Sequence, residues 1–232
     1  MKAYQIKIEL AGSEPLIWRR VIMPADATFN RLHDVIQTVT NFKGGYPGAY
    51  HLFEFAIPDE NIKVTNDEEA YQEHQNFKKN RKAIEAKILD VEPEFEEMAK
   101  FQLRNLETVI RKPTGIKIDT YLEKYGSIEY MYDYGDGWQF LVTLEKTLDD
   151  YHYGYPALID GAETAPPEDV GGIPGYYEFL EIYHDEKHPE HEEMKEWIDE
   201  QSFREYDPAF INRMLKFIHY KKTEWNLIDD KD

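Results

Sequence analysis

The chain has no cysteine among its 232 residues, which removes disulfides, thiolate nucleophiles and sulfur-ligated zinc from consideration. A reducing cytoplasm suits such a chain. Long apolar runs are also missing. The N-terminal stretch from Met1 to Ile8 alternates polar and apolar residues, so neither a signal peptide nor a membrane span is expected. Positive charge is scarce: 27 Lys and Arg stand against 46 Asp and Glu, a net charge of -19 that repels nucleic-acid phosphate and anionic lipid. The longest basic patch, Lys78-Lys79-Asn80-Arg81-Lys82, is soon followed by acids and reads as a solvated helix face. Finally, there is no Gly-rich phosphate loop, nucleophile elbow or zinc-protease helix, so no reaction class is written in the chain.

What is present begins with Tyr132-Asp133-Tyr134-Gly135-Asp136-Gly137-Trp138, two carboxylates and two glycines between aromatic runs. Its flanks alternate with period two, which predicts a hairpin whose Gly-Asp-Gly centre supplies the positive φ values of a short loop. Upstream, Tyr4, Ile6, Ile8 and Leu10 share one face of a first strand, and Leu16 to Ile22 form a second after a turn at Gly12 to Pro15. Thr28 caps a helix with the stripe Phe29, Leu32, Val35, Ile36 and Val39. A Gly- and Pro-rich loop from Asn41 to Ala49 leads to a third strand, His51 to Ile57, with His51, Phe53, Phe55 and Ile57 on one face. Matching phases put Trp18, Phe53, Phe55, Phe140 and Val142 in one core.

From Pro58 to Pro113 charge density rises and helix formers dominate. The spacing predicts a helical pair, roughly 67–89 and 94–110, with stripes Phe77, Ile84, Ile88 and Phe95, Met98, Leu103, Leu106. Such a pair can extend as a dimerisation arm or pack back on the sheet. Strands resume at Ile116 to Ile118, a short helix covers Asp119 to Tyr125, and the hairpin's second strand reaches Glu145. The stretch Pro166 to Gly175 is too rich in Pro and Gly to be regular, and helices follow it, one of them capped by Asp207 with Pro208 at its first position. This order predicts an α+β fold: an antiparallel or mixed, β-grasp-like sheet with a central helix. We expect a single domain over 1–232 with a helical insertion at about 59–113 and a helical C-terminal section at about 175–220.

Asp133, Asp136, Glu168 and Asp169 would suit a hard metal if their two loops converge. The weightier alternative is local: Asp136 serves the turn, Asp133 accepts backbone or arginine hydrogen bonds, and Glu168-Asp169 cap the next segment. Pro189 interrupts His184, His188 and His191, so no zinc site is expected there, and His33 and His51 read as hydrogen-bonded structural histidines. Of Arg19 and Arg20, one must point inward on a strand, where its charge calls for a carboxylate, Asp133 or Asp136. No metal or cofactor is expected.

Pro15-Leu16-Ile17-Trp18-Arg19-Arg20, Leu32-His33, His51 to Phe55, Tyr132 to Trp138, and Pro166 to Gly172 with Gly175-Tyr176 form an ordered series. That series resembles the motifs of the plasmid pRiA4b ORF-3-like family, from about Tyr4 to Ile218, with a longer Pro58 to Pro113 segment than usual. The resemblance implies an α+β fold, a bacterial or archaeal origin and frequent mobile-element associations; it implies no reaction. Many members carry cysteines near the Pro-Pro-Glu-Asp loop, where this chain has Leu158 and Ala165, so a thiol-built metal site is absent or rebuilt.

The function expected first is a non-catalytic module that binds a protein or small ligand. Its candidate surface comprises Arg19, Arg20, His51, Asp133, Tyr134, Asp136, Trp138, Glu168 and Asp169, and a homodimer through the helical insertion remains open. A metal-assisted hydrolase using the hairpin and loop acids is the alternative, and a nucleic-acid-associated mobile-element protein, disfavoured by charge, the third.

Overall fold

A computed structural model describes residues 1–42, 51–201 and 203–218. The first half contains β1 (Ala3–Leu10), β2 (Trp18–Pro24), α1 (Phe29–Val39), β3 (Phe53–Ile57), β4 (Ile62–Thr65), α2 (Glu68–Leu89) and α3 (Glu96–Leu106). After it come β5 (Val109–Arg111), α4 (Asp119–Tyr125), β6 (Ser127–Tyr132), β7 (Trp138–Leu148), β8 (Ala157–Ala162), α5 (Gly172–His184), α6 (His191–Glu200) and α7 (Pro208–Leu215). The Gly- and Pro-rich loop expected before β3 lies, beyond Phe42, outside the described residues.

The strands form one eight-stranded sheet in the order β5-β4-β3-β6-β7-β1-β2-β8, antiparallel except for the parallel β4 and β5 pair. The protein is therefore α+β with a mixed sheet. Inward residues of the central strands, among them Ile6, Ile8, Phe55, Tyr130, Phe140 and Val142, join residues of α1, α4, α5, α6 and α7 in one core. Phe29, from the stripe capped by Thr28, meets Phe55 edge to face with ring centroids 5.0 Å apart.

Several expectations need correcting. Three strands, β4, β5 and β8, were not foreseen, and Ile116 to Ile118 makes an isolated bridge from Lys117 to Thr28 instead of a strand. The second predicted helix of the charged segment ends at Leu106, since Val109–Arg111 is the strand β5 beside β4. In β2 the inward phase belongs to Arg19, Val21 and Met23, which moves Trp18 to the open face. There Lys7 and Arg20 lie over its ring, at 5.3 and 5.0 Å. The other residues expected to share its core, Phe53, Phe55, Phe140 and Val142, are buried in the core described above.

Candidate functional site

The hairpin between β6 and β7 is closed by Asp133 and Gly137, which carry the positive φ values of 53° and 68°; Gly135 does not. The Gly137 N–H donates to the Asp133 carbonyl, and the Gly135 N–H donates to Asp133 Oδ1 at 2.9 Å. The Asp133 N–H in turn donates to the Leu52 carbonyl at 2.9 Å. That bond ties the hairpin to the chain entering β3. Asn66 fixes the same chain from the other side, donating to the His51 carbonyl and accepting from the Phe53 N–H. His51 is thus held by its backbone neighbours beside the hairpin.

The loop from Pro166 to Gly171 reaches the same place from the end of β8. The Gly171 N–H donates to Asp136 Oδ2 at 3.2 Å. Backbone closeness dictates glycine next: a Cβ on Gly172 would lie 2.6 Å from the Asp136 carbonyl oxygen, and one on Gly175 would lie 1.9 Å from that of Val170. The loop is thereby pressed on the hairpin tip, and Glu168 is carried beneath it to 2 % exposure.

Four of the candidate residues meet there. His51 Nδ1 lies 3.4 Å from Asp133 Oδ1, while Nε2 lies 3.7 Å from Glu168 Oε2 and 3.7 Å from Asp169 Oδ1. One ligand atom from each of His51, Glu168 and Asp169 falls within 4.8 Å of the others. The second Glu168 oxygen accepts the Tyr132 hydroxyl at 2.5 Å. Burial, and then that hydrogen bond, push the Tyr132 phenol well above its ordinary pKa, so it stays a donor. Two ligands each about 2.1 Å from one ion lie roughly 3.0 to 4.2 Å apart. The two 3.7 Å separations fall in that range, and Asp169 is the exposed member of the set.

The other candidates are placed elsewhere. Asp136 clamps the loop through Gly171 and is not in that set. Trp138 is buried in the core beside Phe42. Tyr134 donates to Glu54 Oε2 on the open face. Arg20 pairs there with Glu145 and Asp160, and its hydrogen bonds hold the Glu145 carboxyl down to about 2.

Arg19 overturns the expected link to Asp133 or Asp136. It is buried and stacked on Tyr206, and it donates to the backbone carbonyls of Trp18, Val39, Ala162 and Glu163. Desolvation lowers its pKa to about 10, still far above neutrality, so it remains charged. The carboxylate was not needed because the crossing of β2, β8 and the end of α1 presents four carbonyl oxygens to one planar fork.

Beneath the site His33 stacks on Phe53 at 3.9 Å, and its Nδ1 meets the Tyr130 hydroxyl, to which Gln37 also donates. Desolvation drops its pKa to about 3 and keeps the ring neutral. Among the remaining histidines, His191 is buried with Nδ1 on the Ile182 carbonyl, and His188 Nδ1 accepts from the Glu190 N–H.

The whole arrangement falls within the span, residues 2–214, that matches the model of the plasmid pRiA4b ORF-3-like protein family. The chain belongs to that family. It is 29% identical over 208 residues to the uncharacterized protein y4hQ of Sinorhizobium fredii, covering 90% of this chain and 85% of that one. It also resembles the crystal structure of MM3350, a protein of unknown function from Methanosarcina mazei Go1. That likeness has a TM-score of 0.60 and 29% identity, over 90% of this chain and 96% of the other. The positions read as replacing family cysteines, Leu158 and Ala165, are buried in the core. No helix among the described residues is long and apolar enough to cross a membrane.

One participant was missed. Nothing local in the sequence marks Tyr132 as the donor to Glu168; the inward phase it shares with Ile128 and Tyr130 is the available signal.

Proposed function

We propose that this member of the pRiA4b ORF-3-like family is a ligand-binding module built around a divalent cation held by His51, Glu168 and Asp169. The observation that carries this reading is the convergence of those three donor groups within 4.8 Å, one of them a buried carboxylate. Asp133 beside Nδ1 supports it, since a carboxylate on the far ring nitrogen directs Nε2 toward a metal and raises its basicity. One imidazole with two carboxylates suits manganese, iron(II) or zinc better than calcium, whose sites are built from oxygen alone.

Three protein ligands leave coordination positions open, so the cation can take an oxygen of a bound molecule. The same openness favours a second reading, hydrolysis by a metal-activated water. Calorimetry of the purified chain with manganese and then zinc is the test. We expect one cation per chain, an affinity at least tenfold weaker in Glu168→Gln and in His51→Ala, and no change in His188→Ala. Absence of binding, or binding that survives both site variants, would sink the proposal.

A further inference from the structure

The helical pair α2 and α3 stands outside the main core: its buried residues Phe77 and Ala99 do not belong to the cluster that unites the sheet with the other helices. On α3, Ala99, Leu103 and Leu106 cover one face, with Ala99 buried and the two leucines half-buried. A second apolar set points into solvent. Phe95, Met98 and Phe101 are 46%, 63% and 58% exposed, and Leu89 and Val91 at the tip of the pair are 50% and 43% exposed. Met98 and Phe101 are one step of three apart on α3, about 60° around the helix, and Phe95 immediately precedes its first residue. Large apolar side chains exposed together at one end of a helical pair mark a candidate contact site.

The charges around the patch identify what covers it. Asp90, Glu92, Glu94, Glu96 and Glu97 surround the tip without a basic residue among them, whereas Lys78, Lys79, Arg81 and Lys82 make the middle of α2 positive. Some of these groups are satisfied within the chain, with Lys100 on Glu96 and Glu97 and Arg81 on Glu85 and Glu107. Lys78, Lys79 and Lys82 are exposed.

We propose that a second copy of this chain covers the patch, its helical pair lying antiparallel to the first. In that arrangement Phe95, Met98 and Phe101 of the two copies pack together. Each acidic tip then meets the other copy's basic α2 segment; a parallel arrangement would set like charges against each other. The surface is thus complementary to itself, as a two-fold interface requires. The net charge of -19 on each copy opposes distant approach, but at physiological salt that repulsion is screened beyond about 8 Å.

Sedimentation equilibrium of the full chain, up to roughly 100 µM, tests this. The native chain should be a dimer, and the triple variant Phe95→Asp, Met98→Asp, Phe101→Asp should dissociate at least tenfold more readily with an unchanged circular-dichroism spectrum. Two charge-reversed chains separate self-recognition from general stickiness. Lys78→Glu, Lys79→Glu, Lys82→Glu should be monomeric, as should Glu92→Lys, Glu94→Lys, Glu97→Lys, and an equimolar mixture of the two should dimerise again. A native chain that is monomeric at the highest concentration, a dimer that survives the triple Asp variant, or a charge-reversed mixture that stays monomeric would each overturn the proposal.

Discussion

A guanidinium surrounded by backbone oxygens, as Arg19 is, behaves differently from one in an ion pair. Its four carbonyl partners come from β2, α1, β8 and the residue after β8, so this one side chain joins a helix end to the sheet edge. Removing it strands several buried acceptors together, each costing a fraction of its desolvation penalty. Arg19→Ala is expected to lower the unfolding free energy by about 3 kcal/mol. Arg19→Lys should recover part of that, because an ammonium cannot reproduce the planar fork. Urea denaturation decides; a change within about 0.5 kcal/mol for Arg19→Ala would show the bonds to be dispensable. The need for an inward arginine was legible from alternation along the strand. Its partners were not, because backbone carbonyls have no residue signature.

Elements were legible in proportion to their length and regularity. The stripe of α1 and the alternation of β1, β6 and β7 extend over enough residues to declare their period, whereas β4 and β5 have four and three residues, too few to show one. β8 contains Asp160 and Gly161, and alternation alone does not reveal it. Its outer edge is recognised by Asn212 of α7, whose side chain accepts from the Leu158 N–H and donates to the Leu158 carbonyl. Such an amide stands in for a neighbouring strand and leaves those groups closed to another chain. Likewise, the acids of the hairpin and the loop could be named from sequence as a candidate set, but their meeting depends on Gly172, packed on the Asp136 carbonyl of the distant hairpin, and on Gly175, packed on Val170 within the loop. This gives the element-scale prediction. Gly175→Ala should push the loop off the hairpin tip, lower stability by roughly 1 to 3 kcal/mol and weaken manganese binding at least tenfold. Gly154→Ala, where an added Cβ would meet nothing within 4 Å, should change neither. Equal behaviour of the two variants in calorimetry and thermal melts would mean the clamp does not position the site.

At the scale of the whole molecule, two opposing effects set the response to acid. Lowering the pH relieves the mutual repulsion within a chain of net charge -19, which favours the compact state. Against it stand groups that hold fewer protons folded than unfolded. His33 is depressed to about 3 by desolvation, and Glu145 to about 2 by its hydrogen bonds from Arg20. Both folded pKa values lie below the ordinary ones of 6.5 and 4.5, so both contributions are present at high pH and decline on acidification. The His33 contribution begins to fall below pH 6.5 and has fully declined below about 3, while that of Glu145 is lost between 4.5 and about 2. The window between about pH 6 and pH 5 therefore separates the histidines from Glu145; His74, also lowered by desolvation, declines there too, and substitution of His33 alone subtracts its share, with a limiting slope of about 1.4 kcal/mol per pH unit for one proton. His33→Gln cannot titrate. It should be less stable than the native chain at neutral pH, and the gap should narrow steadily as the pH falls through that window. Chemical denaturation at a series of pH values measures the gap directly. A constant gap would mean that His33 takes up its proton without unfolding, and that the ring stacked on Phe53 is open to solvent.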